Sequence, residues 1–179
     1  MKFFMLLKKL FKFKIIPLKR CMEIHGIRIR LRRLLDLPDL YSFFCSSNFR
    51  EIFNIEHTPF HSFWSFKRWI NTTFDLLYII ELRSKKVFRT IGFIGLYKLK
   101  IDESLWVSEA LFDAKDCGRK YGQYALKLLL DFLKEKAIVG EIFAEVHKDN
   151  SRSLHLFDRL GFDAYEQHGN TTFLRKSLD

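Results

Sequence analysis

The passage from Ser104 to His147 constrains this chain most. "SLWVSEALF" (Ser104–Phe112) is rich in apolar and aromatic residues, as a strand is, and a polar loop follows it. From about Arg119 to Lys136 a long helix is predicted. Tyr121, Tyr124, Ala125, Leu128, Leu129, Phe132 and Leu133 recur at helical spacing, opposite Lys120, Gln123, Lys127, Asp131 and Lys134. "GEIFAEVH" (Gly140–His147) reads as the next strand. A strand, a long amphipathic helix and a second strand in succession fit one parallel crossover, right-handed by the general rule. Such a unit excludes an all-α or an all-β domain.

The rest of the chain supplies partners for that unit. In "GIRIRLRRL" Ile27, Ile29 and Leu31 alternate with Arg28, Arg30 and Arg32, which puts the arginines on one sheet face or edge. Asp36 as a cap and Pro38 in a first turn open a helix. A second, aromatic-rich helix follows Pro59, with Phe63, Phe66 and Ile70 on one side and Trp64 and Trp69 nearby. Strands over Leu76–Leu82 and Arg89–Leu99 are joined by a turn in "RSKK". After His147, "NSRSLHLFDRLGF" is a short helix ended by Gly161, and a hairpin turning at Gly169-Asn170 closes the chain. The expected fold is a single α/β domain over 21–179. Its sheet is mixed but mostly antiparallel, flanked by about four helices and preceded by a separate basic segment, 1–20.

Charge sharpens that division. The chain has 31 Lys+Arg against 21 Asp+Glu, yet residues 1–33 hold 11 of the bases and only Glu23 among the acids. The body is neutral, so net charge does not argue for a nucleic-acid groove across the fold. In the first twenty residues Phe3, Phe4, Leu7, Leu10 and Phe11 share one helical face and Lys8, Lys9 and Lys12 the other, until Pro17. The apolar stretch is too short, and lacks a small-residue cleavage site, for a signal peptide. The segment suits an anionic membrane surface, a ribosome or RNA contact, or packing on its own domain. No apolar run reaches the roughly 18–20 residues of a spanning helix. Cys21, Cys45 and Cys117 are odd in number and far apart, which excludes a disulfide framework and favours a reducing, cytoplasmic setting. His57 and His61 are interrupted by Pro59, so no metal site is expected.

Chemistry concentrates where the 104–112 strand gives way to the long helix. Gly118 and Gly122 flank Arg119 and Lys120 at the helix N-terminus, where backbone N–H groups and positive charge can hold a phosphate. Here the sequence resembles the GNAT family of N-acetyltransferases. That family carries [QR]-x-x-G-x-[GA] at this junction, and the matching residues are Cys117, Gly118, Arg119, Lys120, Tyr121 and Gly122. A second match, "AEVHKDNSRSLHLFDRLGF", supplies Asn150, Ser153, Gly161 and Phe162. The N-x-x-S form is similar to the branch that acetylates ribosomal-protein N-termini and its amino-sugar and polyamine relatives. The resemblance spans about residues 24–177. It departs at Cys117, where Arg or Gln is usual, at Lys120, where Gly is usual, and at Phe157, where many members have a Tyr acid.

The resemblance implies acetyl-CoA as cosubstrate, no metal, and direct attack by a primary amine at a split between the strands ending at Phe112 and Val146. Leu111 and Phe112 would hold the pantetheine arm, with a backbone N–H near Phe112 polarising the carbonyl. The loop from Gly118 to Gln123 would bind pyrophosphate. Glu109, in an apolar setting that raises a carboxylate pKa, is the expected base, ahead of Glu145 and His147. Ser153 is the expected partner of the leaving thiolate, and Asn150 both contacts the cofactor arm and caps its helix. Cys117 is read as a small buried residue. The aromatic group Phe60, Phe63, Trp64, Phe66 and Trp69 would lie over the acceptor side, chiefly as core. The expected acceptor is an amino sugar, free or nucleotide-linked, or a protein N-terminus. The expected location is cytoplasmic, soluble or peripheral on the inner face of the membrane, with a homodimer as one arrangement. Two rival readings stand beside this one. The first is a non-catalytic acyl-CoA-binding module, suggested by Cys117, Lys120 and Phe157. The other is a ribosome- or RNA-associated protein led by the basic N-terminus.

Overall fold

The computed structural model describes residues 21–53, 57–97 and 104–178, so the basic segment 1–20 and the last residues of the strand expected over 89–99 lie outside the described residues. Eight strands form one sheet: β1 (Cys21–Ile24), β2 (Ile27–Leu31), β3 (Leu76–Ser84), β4 (Val87–Tyr97), β5 (Trp106–Leu111), β6 (Glu141–His147), β7 (Asp163–His168) and β8 (Thr171–Ser177). Their spatial order is β1-β2-β3-β4-β5-β6-β8-β7. All neighbours are antiparallel except β5 and β6, the pair joined through the long helix. The described helices are α1 (Leu37–Cys45), α2 (Ser47–Phe53), α3 (Phe63–Thr73), α4 (Tyr121–Glu135) and α5 (Ser151–Arg159). The sequence reading missed two elements. Strand β1 is four residues long with two exposed positions, and α2 is a separate helix where a single one was expected.

Strand β3 shows why the chain folds in layers. Leu77, Tyr78, Ile79 and Ile80 are consecutive and all buried. Successive strand side chains point to opposite faces, so both faces must be covered. Tyr78 and Ile80 join one core with Ile94, Val107, Ala125 and Leu129, beneath α4. Leu77 and Ile79 join the other with Leu40, Phe44, Phe66 and Phe93, beneath α1 and α3. Each large apolar side chain so buried contributes about 1.5–3 kcal/mol before its entropy cost. Strand β7 is the contrast: "DAYEQH" lies at the sheet edge and every residue is exposed.

The arginines of β2 turn toward the α1–α3 face, and their charge is used internally. Arg30 is 8% exposed; it donates to both oxygens of Asp36 (2.8 and 2.7 Å) and to Glu81 (2.9 Å). Arg28 shares Glu81 and lies 3.6 Å over the Phe88 ring. Asp36 therefore does not cap α1 with its side chain; it anchors β2 instead. The aromatic group after Pro59 divides in the same way. Phe60 and Phe66 are core, whereas Trp64 is 73% exposed.

Candidate functional site

Strands β5 and β6 meet at one register pair, Trp106↔Phe143, where the Phe143 N–H donates to Leu105 O at 2.8 Å. Beyond it the described residues of the two strands form no further pairs, and a split opens in the sheet. Backbone polar groups alternate along a strand. The Phe112 N–H donates to Ile91 O at 2.8 Å, on the β4 side. Alternation then turns the N–H groups of Glu109 and Leu111 toward the split. Of the backbone N–H groups near Phe112, the one that faces the split is therefore that of Leu111.

The loop after β5 is anchored from below. Asp116 is 3% exposed and takes two hydrogen bonds from Arg89, one of 2.8 Å. Asp113 accepts from the Lys115 N–H at 3.0 Å. Cys117 is half-buried with its thiol 3.7 Å from Asp113 O, and burial pushes that thiol up, which keeps it protonated and unreactive. Gly118 (φ +75°) and Lys120 (φ +64°) both take left-handed backbone, and Lys120 is the N-cap of α4. That conformation is why a glycine suits position 120, and a lysine there costs about 1 kcal/mol. The helix starts at Tyr121 and not at Arg119 for the same reason. Its first-turn N–H groups have no partner within the helix, and its dipole favours an anion at this end.

Glu109 is packed against that first turn. A Cβ on Gly122 would lie 2.5 Å from Glu109 Oε1 and 3.0 Å from its carboxyl carbon, so glycine is needed to admit the carboxylate. Oε1 is sealed from solvent without a hydrogen-bond partner, and burial pushes the group up to about 7. An orphaned carboxylate oxygen of this kind favours the protonated form and leaves a lone pair for an incoming proton.

Two cavities meet here. A cleft of about 780 Å³ runs over the α4 N-terminus, bounded by Leu111, Cys117, Gly118, Lys120, Tyr121, Gly122 and Gln123 on one side and by α5 on the other. A smaller cavity of about 390 Å³ lies along the split and is lined by Tyr97, Ser108, Glu145, Asn170 and Thr171. Glu109, His147, Asn150 and Ser153 line both. Asn150 caps α5, its side chain accepting from the Ser153 N–H at 3.1 Å. Phe157, buried against Phe162, faces the smaller cavity with no proton to give. Burial and the charge of Glu145 push the Tyr97 hydroxyl up, so it stays protonated.

Of the residues singled out from the sequence, the structure brings Glu109, Leu111, Cys117, Gly118, Lys120, Tyr121, Gly122, Gln123, Asn150 and Ser153 to the cleft. Phe112 and Arg119 do not line it. Phe112 turns to the other core, stacked on Phe43, and Arg119 points to solvent. Sequence reading missed Arg152, His155 and Arg159, which line the cleft from α5. Their spacing of three, four and seven, which puts them on one face of α5, was the available signal. Among the described residues no group of three metal-ligating side chains could hold a metal ion.

A family model described as "Acetyltransferase (GNAT) domain" matches residues 28–163. Among curated proteins none matches the chain. Solved structures share the fold. A domain from Methanocaldococcus jannaschii DSM 2661 has a TM-score of 0.75 at 22% identity, covering 84% of this chain and 97% of that one. Spermidine N-acetyltransferase from Vibrio cholerae, in complex with CoA and spermine, has a TM-score of 0.72 at 15% identity, covering 87% and 97%. The aminoglycoside acetyltransferase AAC(6')-Ib, in complex with coenzyme A, has a TM-score of 0.69 at 16% identity, covering 83% and 93%.

Proposed function

The chain belongs to the GNAT acetyltransferase domain family, and from that membership and the geometry above we propose that it transfers the acetyl group of acetyl-CoA to a primary amine. The observation that carries the reading is the meeting of two cavities at one carboxylate. The larger presents a helix N-terminus and Lys120 to a diphosphate. Arg152 and Arg159 add positive charge from the opposite wall. Leu111 offers its N–H to the thioester carbonyl in the split.

The amine enters by the smaller cavity as an ammonium. Glu109, pushed up to about 7, takes its proton directly or through one water. The freed lone pair attacks the carbonyl, a C–N bond forms, and the C–S bond breaks. Charge building on the carbonyl oxygen is met by the Leu111 N–H. Ser153, at the junction of the cavities, hydrogen-bonds the departing sulfur, which takes up, through the serine hydroxyl, the second proton shed by the attacking nitrogen and leaves as the thiol. With Phe157 unable to act as an acid, this serine carries the role.

For the acceptor we favour an amino sugar. Tyr97, Ser108, Asn170 and Thr171 offer neutral hydroxyl and amide groups that pair with sugar hydroxyls, and Glu145 adds a carboxylate for an amine. The test is an amine panel containing amino sugars, polyamines and peptide N-termini, read by mass spectrometry for a product one acetyl group heavier. Acetylation of amino sugars supports the reading. No turnover of any amine, with no thermal shift on acetyl-CoA, sinks it. Phe157 supports one other reading, an acyl-CoA-binding module without turnover. Cofactor binding that is unchanged in Glu109→Gln, with no product, would select that one.

A further inference from the structure

Beyond the split, one face of the sheet is aromatic and lies outside both cores. Ile142, Ala144, Val146 and Leu174 turn into the core beneath α4. Phe143, Glu145 and His147 alternate with them on β6 and so lie on the opposite face. On β8, Arg175, Phe173 and Thr171 stand opposite these three in register and share their face. Among the described residues, the core beneath α1 and α3 draws nothing from β6, β7 or β8. Instead Trp106, Phe143, Phe173 and Tyr165 form a ring cluster there. Centroids are 5.3 Å apart for Trp106–Phe143, 6.1 Å for Trp106–Phe173 and 6.0 Å for Phe143–Tyr165.

Glu145 belongs to this face and also lines the smaller cavity. Its cross-strand partner is Phe173, and Phe143 precedes it on the same side of β6. Burial and the charge of Glu145 raise the Tyr97 hydroxyl; burial, Glu166 and Glu145 raise that of Tyr165. The carboxylate is thus close to both phenols. A carboxylate among aromatic rings suits a cation, through its own charge and through the negative ring faces. Charge divides the whole site in the same sense. Lys120, Arg152 and Arg159 line the larger cleft. The smaller cavity holds Glu109, Glu145 and the His147 imidazole, and among the described residues no lysine or arginine lines it. Arg175, two residues beyond Phe173, is engaged by Glu141 at 3.7 Å and lies 5.6 Å from the Tyr165 ring.

Glu145 stands too far along the sheet to hold the reacting amine. The pair Trp106↔Phe143 sets Glu145 level with Ser108. Leu111, whose N–H faces the split, is three residues further, about 10 Å at about 3.3 Å per residue. That span exceeds the reach of a glutamate side chain, and Glu109 serves the reacting end. On the footing of the acetyltransferase proposal, we infer that Glu145 is a specificity-determining residue: with the rings around it, it binds a second ammonium group of the acceptor. The acceptor is then doubly cationic, such as a sugar with two amino groups, its second charge several bonds from the reacting nitrogen. A phosphorylated or nucleotide-linked sugar would set its phosphates against Glu145 in a cavity that offers them no lysine or arginine among the described residues. A neutral second ring would stack on the aromatic side chains but gain nothing from the carboxylate.

Steady-state kinetics on matched acceptors tests the assignment. One pair is hexylamine and 1,6-diaminohexane. The other is the 1,4-linked glucosamine dimer and the same dimer acetylated at one amine. Glucosamine 6-phosphate, set against glucosamine, adds the opposite charge. After correction for the two equivalent amines, kcat/KM should be about five- to tenfold higher for the doubly cationic member of each pair, with the gain in KM. Glucosamine 6-phosphate should fall below glucosamine by a similar factor. Glu145→Gln should remove most of both differences, and Glu145→Asp should restore part of them. Glu145 is exposed, so both variants should fold, and their melting curves verify it. Equal kcat/KM within the pairs overturns the assignment and leaves the acetyltransferase reading standing. So does a preference that Glu145→Gln leaves unchanged, or a preference for the phosphate. If none of these acceptors is turned over, the assignment falls, and turnover of peptide N-termini then decides the acetyltransferase reading separately.

Discussion

Glu109→Gln separates the two consequences of packing a carboxylate under Gly122. Burial raises the folded-state value to about 7 from an ordinary 4.5. The folded protein then holds this proton more tightly than the unfolded chain does. Its stability is fully present below about pH 4.5, falls as pH rises toward 7, and is flat above. About 2.5 units at 1.36 kcal/mol each amount to roughly 3 kcal/mol. Solvent reaching the partly exposed residue reduces this to about 2 kcal/mol. Glutamine has nearly the same shape and no charge, so the variant should lack that pH dependence. Relative to its standing at pH 4.5, it should gain about 2 kcal/mol over the parent at pH 8, or about 4–8 °C in Tm for a chain of this size. Urea unfolding of both proteins across that range measures the difference. In the same buffers kcat/KM of the parent should rise with pH through an inflection near 7, because the base works ionised. The variant should lose at least about a hundredfold and lose the inflection. Parallel stability curves would show that Glu109 is not perturbed. Full activity with the inflection intact would refute its role as base.

Three further substitutions probe the same architecture. Lys120→Gly relieves the left-handed backbone at φ +64° and should stabilise by about 0.5–1 kcal/mol. It should also raise the KM for acetyl-CoA several-fold through loss of a cation at the cleft, with kcat unchanged, as steady-state kinetics and melting would show. Gly122→Ala drives a methyl to 2.5 Å from Glu109 Oε1. The carboxylate can swing aside more cheaply than the helix can move, so kcat should fall tenfold or more for about 1 kcal/mol of stability. Arg30→Met leaves Asp36 a buried charge held by the Arg33 N–H alone and leaves Glu81 to Arg28, and should cost about 3–5 kcal/mol in urea denaturation.

Much of this protein is legible in its sequence because the relevant physics is local. The periodicity of 121–133 is a property of successive residues, and α4 formed where it indicated. The apolar, β-branched run over 76–82 indicated a strand, and β3 formed there. The glycines at 118 and 122 and the N-x-x-S step at 150–153 fall on residues that the fold gathers around one cleft. Strand β1 escaped because four residues with half their side chains in water carry no period of their own. They are a strand only because β2 pairs with them.

Tertiary structure decided what depends on distant partners. The sequence put a carboxylate at position 109, but only the packing of α4 sealed its Oε1 and raised its pKa. It put lysine where glycine is customary, but only the fold shows that the position is left-handed and what a side chain there costs. Alternation of backbone groups could not be phased until the Phe112 N–H was found on Ile91. Charge followed the same rule. The sequence counted an arginine surplus near the N-terminus, while Glu81 and Asp36 from other elements determined that Arg28 and Arg30 are spent inside the fold. Composition and period are sums over neighbours in the chain; solvation, hydrogen-bond phase and ion pairing are set by neighbours in space.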